Sequence, residues 1–333
     1  MRPATARAAG LLAAAGALLI VALLSVWIGT RHIPVTATWR LLWHNDGSAA
    51  AVIVHDLRIP RTLLGLLVGA ALGLAGALMQ ALTRNPLADP GLLGVSTGAA
   101  TAVVLGIVYL GLTSVTGYIW LAFAGAAVVS VLVYLLGTAG RGAATPERLV
   151  LAGAAVTAVL FAVTSAVLLL HPQAFGQFRF WDVGSLAGRQ WDVLARLTPF
   201  FAAGTALALA LARPLNALAL GDDLGSALGA RPARTRALGA LAVTLLCGAA
   251  TAAAGPIGFI GLTIPHAARL LVGPDQRWLL PYSMLLAPIL LLGSDILGRV
   301  VIAPGELQVG VVTAFVGGPV FIALCRRRKL VTP

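Results

Sequence analysis

Ten predominantly apolar runs, each closed off by charge, glycine or proline, leave this chain little choice but a membrane-embedded helix bundle. They cover residues 11–29, 58–82, 92–110, 117–136, 148–170, 193–212, 236–254, 257–271, 279–297 and 307–325. A bilayer core about 30 Å thick is crossed by a helix of about 20 apolar residues, and nearly every run has that length. The composition agrees, with 59% hydrophobic and only 10% charged residues, too few charges to keep a soluble domain of this size in water. What remains divides into connections of roughly 12 residues, well short of the ~50 at which an independent domain forms. Residues 1–333 therefore read as one transmembrane domain of an all-α membrane protein. The first run follows Arg2 and Arg7, yet it is too long for a cleaved signal core. Trp27-Ile28-Gly29-Thr30 is also a poor cleavage site, so the run reads as a retained span. Cys247 and Cys325 both fall inside apolar runs, as core residues rather than a disulfide framework.

An even number of spans puts both termini on one side, and the cluster Arg326, Arg327, Arg328 and Lys329 places that side in the cytoplasm. The outer side then holds Arg31, Arg40, Arg58, Arg61, Arg179, Arg189, Arg196 and Arg299, and every other cation lies inside, a bias of about two to one. The formal charge of +12 is thus an orientation signal rather than a nucleic-acid footprint. In the second run Gly65, Gly69 and Gly73 recur every four residues, a face on which another helix can approach closely. Gly317, Gly318 and Pro319 predict a break in the last span. The span at 257–271 is short and carries Pro265.

The chemistry that would power transport is missing. A P-loop needs a lysine behind its glycines, and the only lysine is Lys329. Ion-coupled carriers place carboxylates or histidines at mid-membrane. Here Asp295 sits one turn before Arg299, which predicts a local ion pair, and His266 reads as a helix residue rather than a ligand. His32, His44 and His55 share the first outer loop at a spacing that fits no metal site. The glycines around Ser96 read GVSTG rather than GxSxG. A conduit without fuel points to one subunit of a larger machine. Its longest inner polar stretch, residues 213–236, offers a handle: Asp222 can cap a short helix with Leu224, Ala227 and Leu228 on one apolar face, though the same residues also suit a plain solvated loop. An ion-driven secondary carrier and an assembly protein without a conduit are the competing classes.

Four segments together resemble the FecCD family, the permease subunits of bacterial ABC importers for iron-siderophores, haem and vitamin B12. They are RIPRTLLGLLVGAALGLAGALMQALTRNPLADPGLLGVSTGAA from Arg58, ALGDDLGSALGARPARTR from Ala219, GPIGFIGLTIPHAARLLVG from Gly255, and SDILGRVV with GELQVGVVTAFVGGPVFI from Ser294. FRFWDVGSL from Phe178, ALGARPART and DQRWLLP from Asp275 make the likeness strongest to ferric-enterobactin permease subunits. The resemblance implies a type II ABC importer permease fold in the bacterial inner membrane, with ten helices per subunit. It also implies a second, related permease chain, two ATP-binding subunits that use ATP and Mg, and a periplasmic or lipid-anchored substrate-binding protein. This chain itself would bind no cofactor and no metal. By the same resemblance Arg58, Arg61 and Arg299 face outward and meet acidic residues of the binding protein; as clustered, unpaired cations they suit steering of an acidic partner, the alternative being that they only anchor helix ends at the headgroups. Asn85, Leu87 and Thr145 narrow the cytoplasmic exit, the TPER at Thr145 differing from the adjacent hydroxyl residues of some relatives. Asp222, Asp223, Leu224, Ser226 and Gly229 contact the ATPase, and the fifth and tenth spans line the path. The cargo implied is a ferric siderophore of catecholate type, with haem and vitamin B12 as the alternatives within the family.

Overall fold

The computed structural model describes residues 3–112, 114–138, 146–227, 229 and 231–326. Apolar patterning becomes helix almost everywhere: α1 Ala4–Trp27, α2 Val35–Trp43, α3 Ala49–Val52, α4 Ile59–Thr83, α5 Val95–Leu110, α6 Val115–Thr138, α7 Pro146–Leu170, α8 Pro172–Asp182, α9 Trp191–Ala210, α10 Ala212–Ala219, α11 Asp222–Ala227, α12 Pro232–Ala254, α13 Ile260–Val272, α14 Gln276–Val301 and α15 Val309–Arg326. Each of the ten runs acquires its helix. Seven are long and apolar enough to cross a membrane, and α5, α13 and α15 are shorter apolar helices. The end of the bundle that carries residues 213–236 is here the inner end, after the arginine bias.

Burial separates centre from rim. In α4 and α12, 78% and 72% of the most apolar window is buried, against 17% in α1 and α7, so the first pair forms the axis of the bundle. Lipid tails are as apolar as leucine, so these helices are held by close packing rather than by expulsion of water. The glycines of α4 make that packing possible. Gly65 lies under Leu292, and a Cβ added at Gly69 or Gly73 would stand 2.5 Å from the Pro288 Cα or the Ser283 carbonyl oxygen of α14. One turn further, Gly76 touches the Gly261 carbonyl of α13. Pro265 has no N–H to offer that carbonyl, so the proline inside α13 leaves an oxygen that only a glycine face can meet.

Three features differ from the sequence expectation. Residues 30–58 are largely helical: α2, then α3 with Ser48 as its N-cap (Ser48 Oγ accepts from Ala51 N at 3.2 Å), then a π-helical turn at Ile53–Arg58 leading straight into α4. An extra helix, α8, follows α7. The expected break at Gly317-Gly318-Pro319 does not form, and α15 runs unbroken through Pro319. A single proline forfeits one ladder bond, and the neighbouring glycines let Phe259 pack against the helix instead, its Cβ 2.7 Å from where a Gly317 Cβ would stand.

Candidate functional site at the two ends of the helix bundle

At the outer end α1 stops at Trp27 with no basic residue in its own last turn. Its final carbonyls need donors from elsewhere. Arg58 gives Nη1 to the carbonyls of Val26 (3.0 Å) and Trp27 (2.9 Å) and Nη2 to that of Arg31 (2.6 Å). Arg299 gives Nη1 to Ser25 O and Ile28 O (2.8 Å each) and Nη2 to Ser25 Oγ (2.8 Å) and Asp295 Oδ2 (2.6 Å). Arg61 reaches the same carboxylate, with Nη2 2.8 Å from Asp295 Oδ1, while its Nη1 lies 2.8 Å from Glu306. Asp295 is fully buried between the two guanidiniums.

The expectation of unpaired cations at Arg58, Arg61 and Arg299 is therefore corrected: all three are committed inside the protein. The Asp295–Arg299 pair is present as the four-residue spacing indicates. Between these arginines and the segment around Gly188 lies an outer pocket of about 250 Å³, lined also by Thr30, Arg31 and Glu306. Four arginines face two carboxylates there, so the mouth keeps an excess of positive charge. Arg31 is the exposed member. Nearby in the chain, Arg189 is buried with no partner for its Nε, and that burial pushes its guanidinium down to about 10.

The inner end is built on a chain reversal. Arg84 ends α4 in the left-handed conformation, φ 48°. Asn85 Oδ1 then accepts from Leu87 N (2.9 Å), and Asp89 Oδ1 caps the turn at Pro90–Leu93 through Gly91 N (2.8 Å). Asn85 is exposed, and Leu87 is 49% exposed despite its apolar side chain. Thr145 lies outside the described residues, as do Arg327, Arg328 and Lys329. The stretch 213–236 folds as α10, α11 and the start of α12, with Gly225 of α11 seated on the Ala217 carbonyl of α10. Asp223, Leu224, Ser226 and Gly229 all face outward, Leu224 at 62% exposure. Ala227 is exposed beside Leu224, and Leu228 lies outside the described residues.

Asp222 faces the other way and joins three elements. Its Oδ1 accepts from Arg84 Nη2 (2.5 Å) and from Arg236 Nη2 (2.8 Å), and Arg84 also donates to the Leu218 carbonyl (2.8 Å). The hydrogen bond from Arg236, then that from Arg84, holds the Asp222 carboxyl below the usual carboxylate range. A second tie runs from α10 to the start of α14, with Asn216 Nδ2 donating to Asp275 Oδ1 (2.6 Å) and Gln276 N to Asn216 Oδ1 (2.8 Å). Sequence reasoning missed Arg84, Arg236 and Asn216. Only Asp275, an N-cap donating no signal beyond its own helix, was detectable from local pattern.

Residues of α5, α7 and α8 line a further, half-open pocket of about 350 Å³, with Thr97, Phe161, Thr164, Ser165, Phe175 and Asp182 on its wall. Burial raises the Asp182 carboxyl above its ordinary value. Thr97, Thr164, Ser165 and Asp182 bring hydroxyls and a carboxylate to one pocket, which suits a protein-lined cavity rather than lipid. Among the described residues no group of three His, Cys, Asp or Glu side chains is placed to hold a metal ion.

The FecCD transport family pattern matches residues 17–327. The ferric enterobactin transport system permease protein FepD of Escherichia coli (strain K12) is 53% identical over 312 residues, 93% of each chain. The probable siderophore transport system permease protein YfiZ of Bacillus subtilis (strain 168) is 42% identical over 87% of this chain and 88% of its own. Among solved structures, an inward-facing metal-chelate type ABC transporter superposes with a TM-score of 0.85 at 28% identity, covering 95% of this chain and 98% of its own. With the apolar runs, the central α4–α12 axis and the inner chain reversal all inside the matched region, this multi-pass membrane chain belongs to the FecCD transport family and has an ABC transporter permease fold.

Proposed function

We propose that this chain is the permease subunit of an ATP-driven importer that takes a ferric siderophore of catecholate type from a binding protein across the bacterial inner membrane. The observation that carries the cargo is the 53% identity with the ferric enterobactin permease, sustained over 93% of both chains. The chain does no covalent chemistry in this reading. Fuel comes from two ATP-binding subunits, and the path is completed by a second, related permease chain. Loaded binding protein docks on the positive outer mouth around Arg58, Arg61 and Arg299, with Arg31 as its exposed cation. ATP closes the nucleotide subunits against Asp223, Leu224, Ser226 and Gly229. Asp222 passes that displacement to Arg84, at the root of the Asn85–Leu87 exit turn, and to Arg236, at the base of α12. With Thr145 on the neighbouring connection, the exit then narrows or opens, and residues 213–236 act as the coupling segment of one domain.

The test is uptake of a labelled ferric catecholate into proteoliposomes holding this chain, the second permease and the ATPase, with binding protein and ATP supplied. Accumulation that needs both supports the proposal. Accumulation by this chain alone, driven by an ion gradient without ATP, would overturn it in favour of a secondary carrier.

A further inference from the structure

A second basic cavity lies at the inner end, beside the Asp222 junction, with Gly229 at its edge and Asp222 not among its lining residues. It has a volume of about 560 Å³ and sits where α9 runs out, α10 begins and α12 starts. Arg213, Arg231 and Arg234 line it, all exposed. None of the three makes a hydrogen bond or ion pair among the described residues, and no carboxylate lines the cavity. Asp222, the acid that pairs with two arginines in this region, already serves Arg84 and Arg236. Beneath the arginines the floor is apolar: Leu207 and Leu211 from the end of α9, and Leu238 from α12. The first turn of α12 adds its own unpaired N–H groups, because Arg231 at the N-cap supplies no side-chain cap.

Three unpartnered guanidinium forks above a leucine floor, at the level where two spanning helices meet water, match one chemistry. The forks suit phosphate oxygens, and the floor continues down α9, whose Leu209 is exposed on the bundle rim. A soluble phosphate would use the arginines and leave the leucines idle. We infer that this cavity binds the headgroup of an anionic phospholipid, phosphatidylglycerol or cardiolipin, with the glycerol and upper acyl carbons resting on Leu207, Leu211 and Leu238. Basic pockets between helices at a membrane surface take such lipids by this combination of charge and apolar contact. Because α10 roots the coupling segment, a lipid held there pins that segment to the membrane plane.

The experiment is native mass spectrometry of the full chain purified in detergent and titrated with cardiolipin, phosphatidylglycerol or phosphatidylcholine. Adducts with the two anionic lipids and not with phosphatidylcholine are expected. Each of Arg213→Gln, Arg231→Gln and Arg234→Gln should weaken phosphatidylglycerol retention about fivefold, and the triple lysine variant should retain it. Elution of every variant at the native volume checks folding, and each single variant that elutes there carries the test by itself. Equal binding of phosphatidylcholine, or unchanged adducts in the glutamine variants, overturns the inference. So does displacement of the lipid by an equal concentration of inorganic phosphate, which would assign the cavity to a soluble anion. Loss of ATPase-subunit association with lipid adducts intact would assign it to a protein contact instead.

Discussion

Replacing Asp222 by asparagine removes one charge at the point where α4, α11 and α12 meet and changes little in size. The two hydrogen bonds lost in strength are 2.5 and 2.8 Å long, each between charged groups. Fully buried, such bonds contribute about 1.5–3 kcal/mol apiece. Asp222 is 41% exposed, so solvent screening cuts that sharply, whereas Arg236 is only 6% exposed and its Nε already lacks a partner. A combined loss of about 1–2 kcal/mol is the reasonable scale, enough to shift the docked coupling segment about 5–30-fold toward its undocked form. In reconstituted transporter, ATP hydrolysis stimulated by loaded binding protein should continue while uptake per ATP falls. Amide exchange should accelerate over 84–94, 211–227 and the first turns of α12, and nowhere else. The carboxyl is depressed in the folded state, so its contribution is present above the ordinary carboxylate pKa and is lost as pH falls through the folded value. Coupling should therefore be flat from pH 8 to pH 5, as far as this residue decides it. Unchanged exchange with an unchanged uptake-to-hydrolysis ratio would refute the idea that Asp222 carries the displacement.

Further outcomes follow from the same contacts. Arg299→Ala leaves Asp295 with Arg61 as its one guanidinium partner and the Ser25 and Ile28 carbonyls without these donors, so stability in detergent should drop by about 1–3 kcal/mol, read as a lowered Tm; a wild-type Tm would show that the cap contributes nothing. Arg31→Glu, on an exposed side chain, should weaken binding-protein association and flatten its salt dependence while leaving Tm alone, and an affinity that does not move would take Arg31 out of the docking face. Gly76→Ala drives a methyl into the Gly261 carbonyl, so α4 and α13 must separate and folded yield should fall severalfold; a normally folded variant would mean that the contact can relax.

Much of the fold was legible in the sequence because a bilayer imposes one strong constraint. Every span must be about 20 residues long, apolar and internally hydrogen-bonded, and ten runs announce themselves on that basis alone. Local spacing likewise gave the Asp295–Arg299 pair and the glycine face of α4, both properties of a single helix. The helices α2 and α8 escaped notice, since short segments in polar connections lack a length signal. Pro319 misled, because the sequence shows the lost ladder bond but not the Phe259 packing that stands beside it.

The arginines show where sequence stops. Their number is read from composition, and the positive-inside bias assigns them an expected side of the membrane, but neither reveals their partners. Arg299 binds carbonyls 274 and 271 positions away, and Arg84 meets a carboxylate 138 positions on. Whether a guanidinium is free for a partner protein or spent on capping α1 depends on which helix end is folded against it, and backbone acceptors carry no signature in side-chain identity. The chain's own residues dictate a multi-pass helical membrane protein built on ten apolar runs. Only the packing of α1, α4 and α14 settles which of its cations are structural and which remain available, because hydrogen bonding is satisfied in space rather than along the sequence.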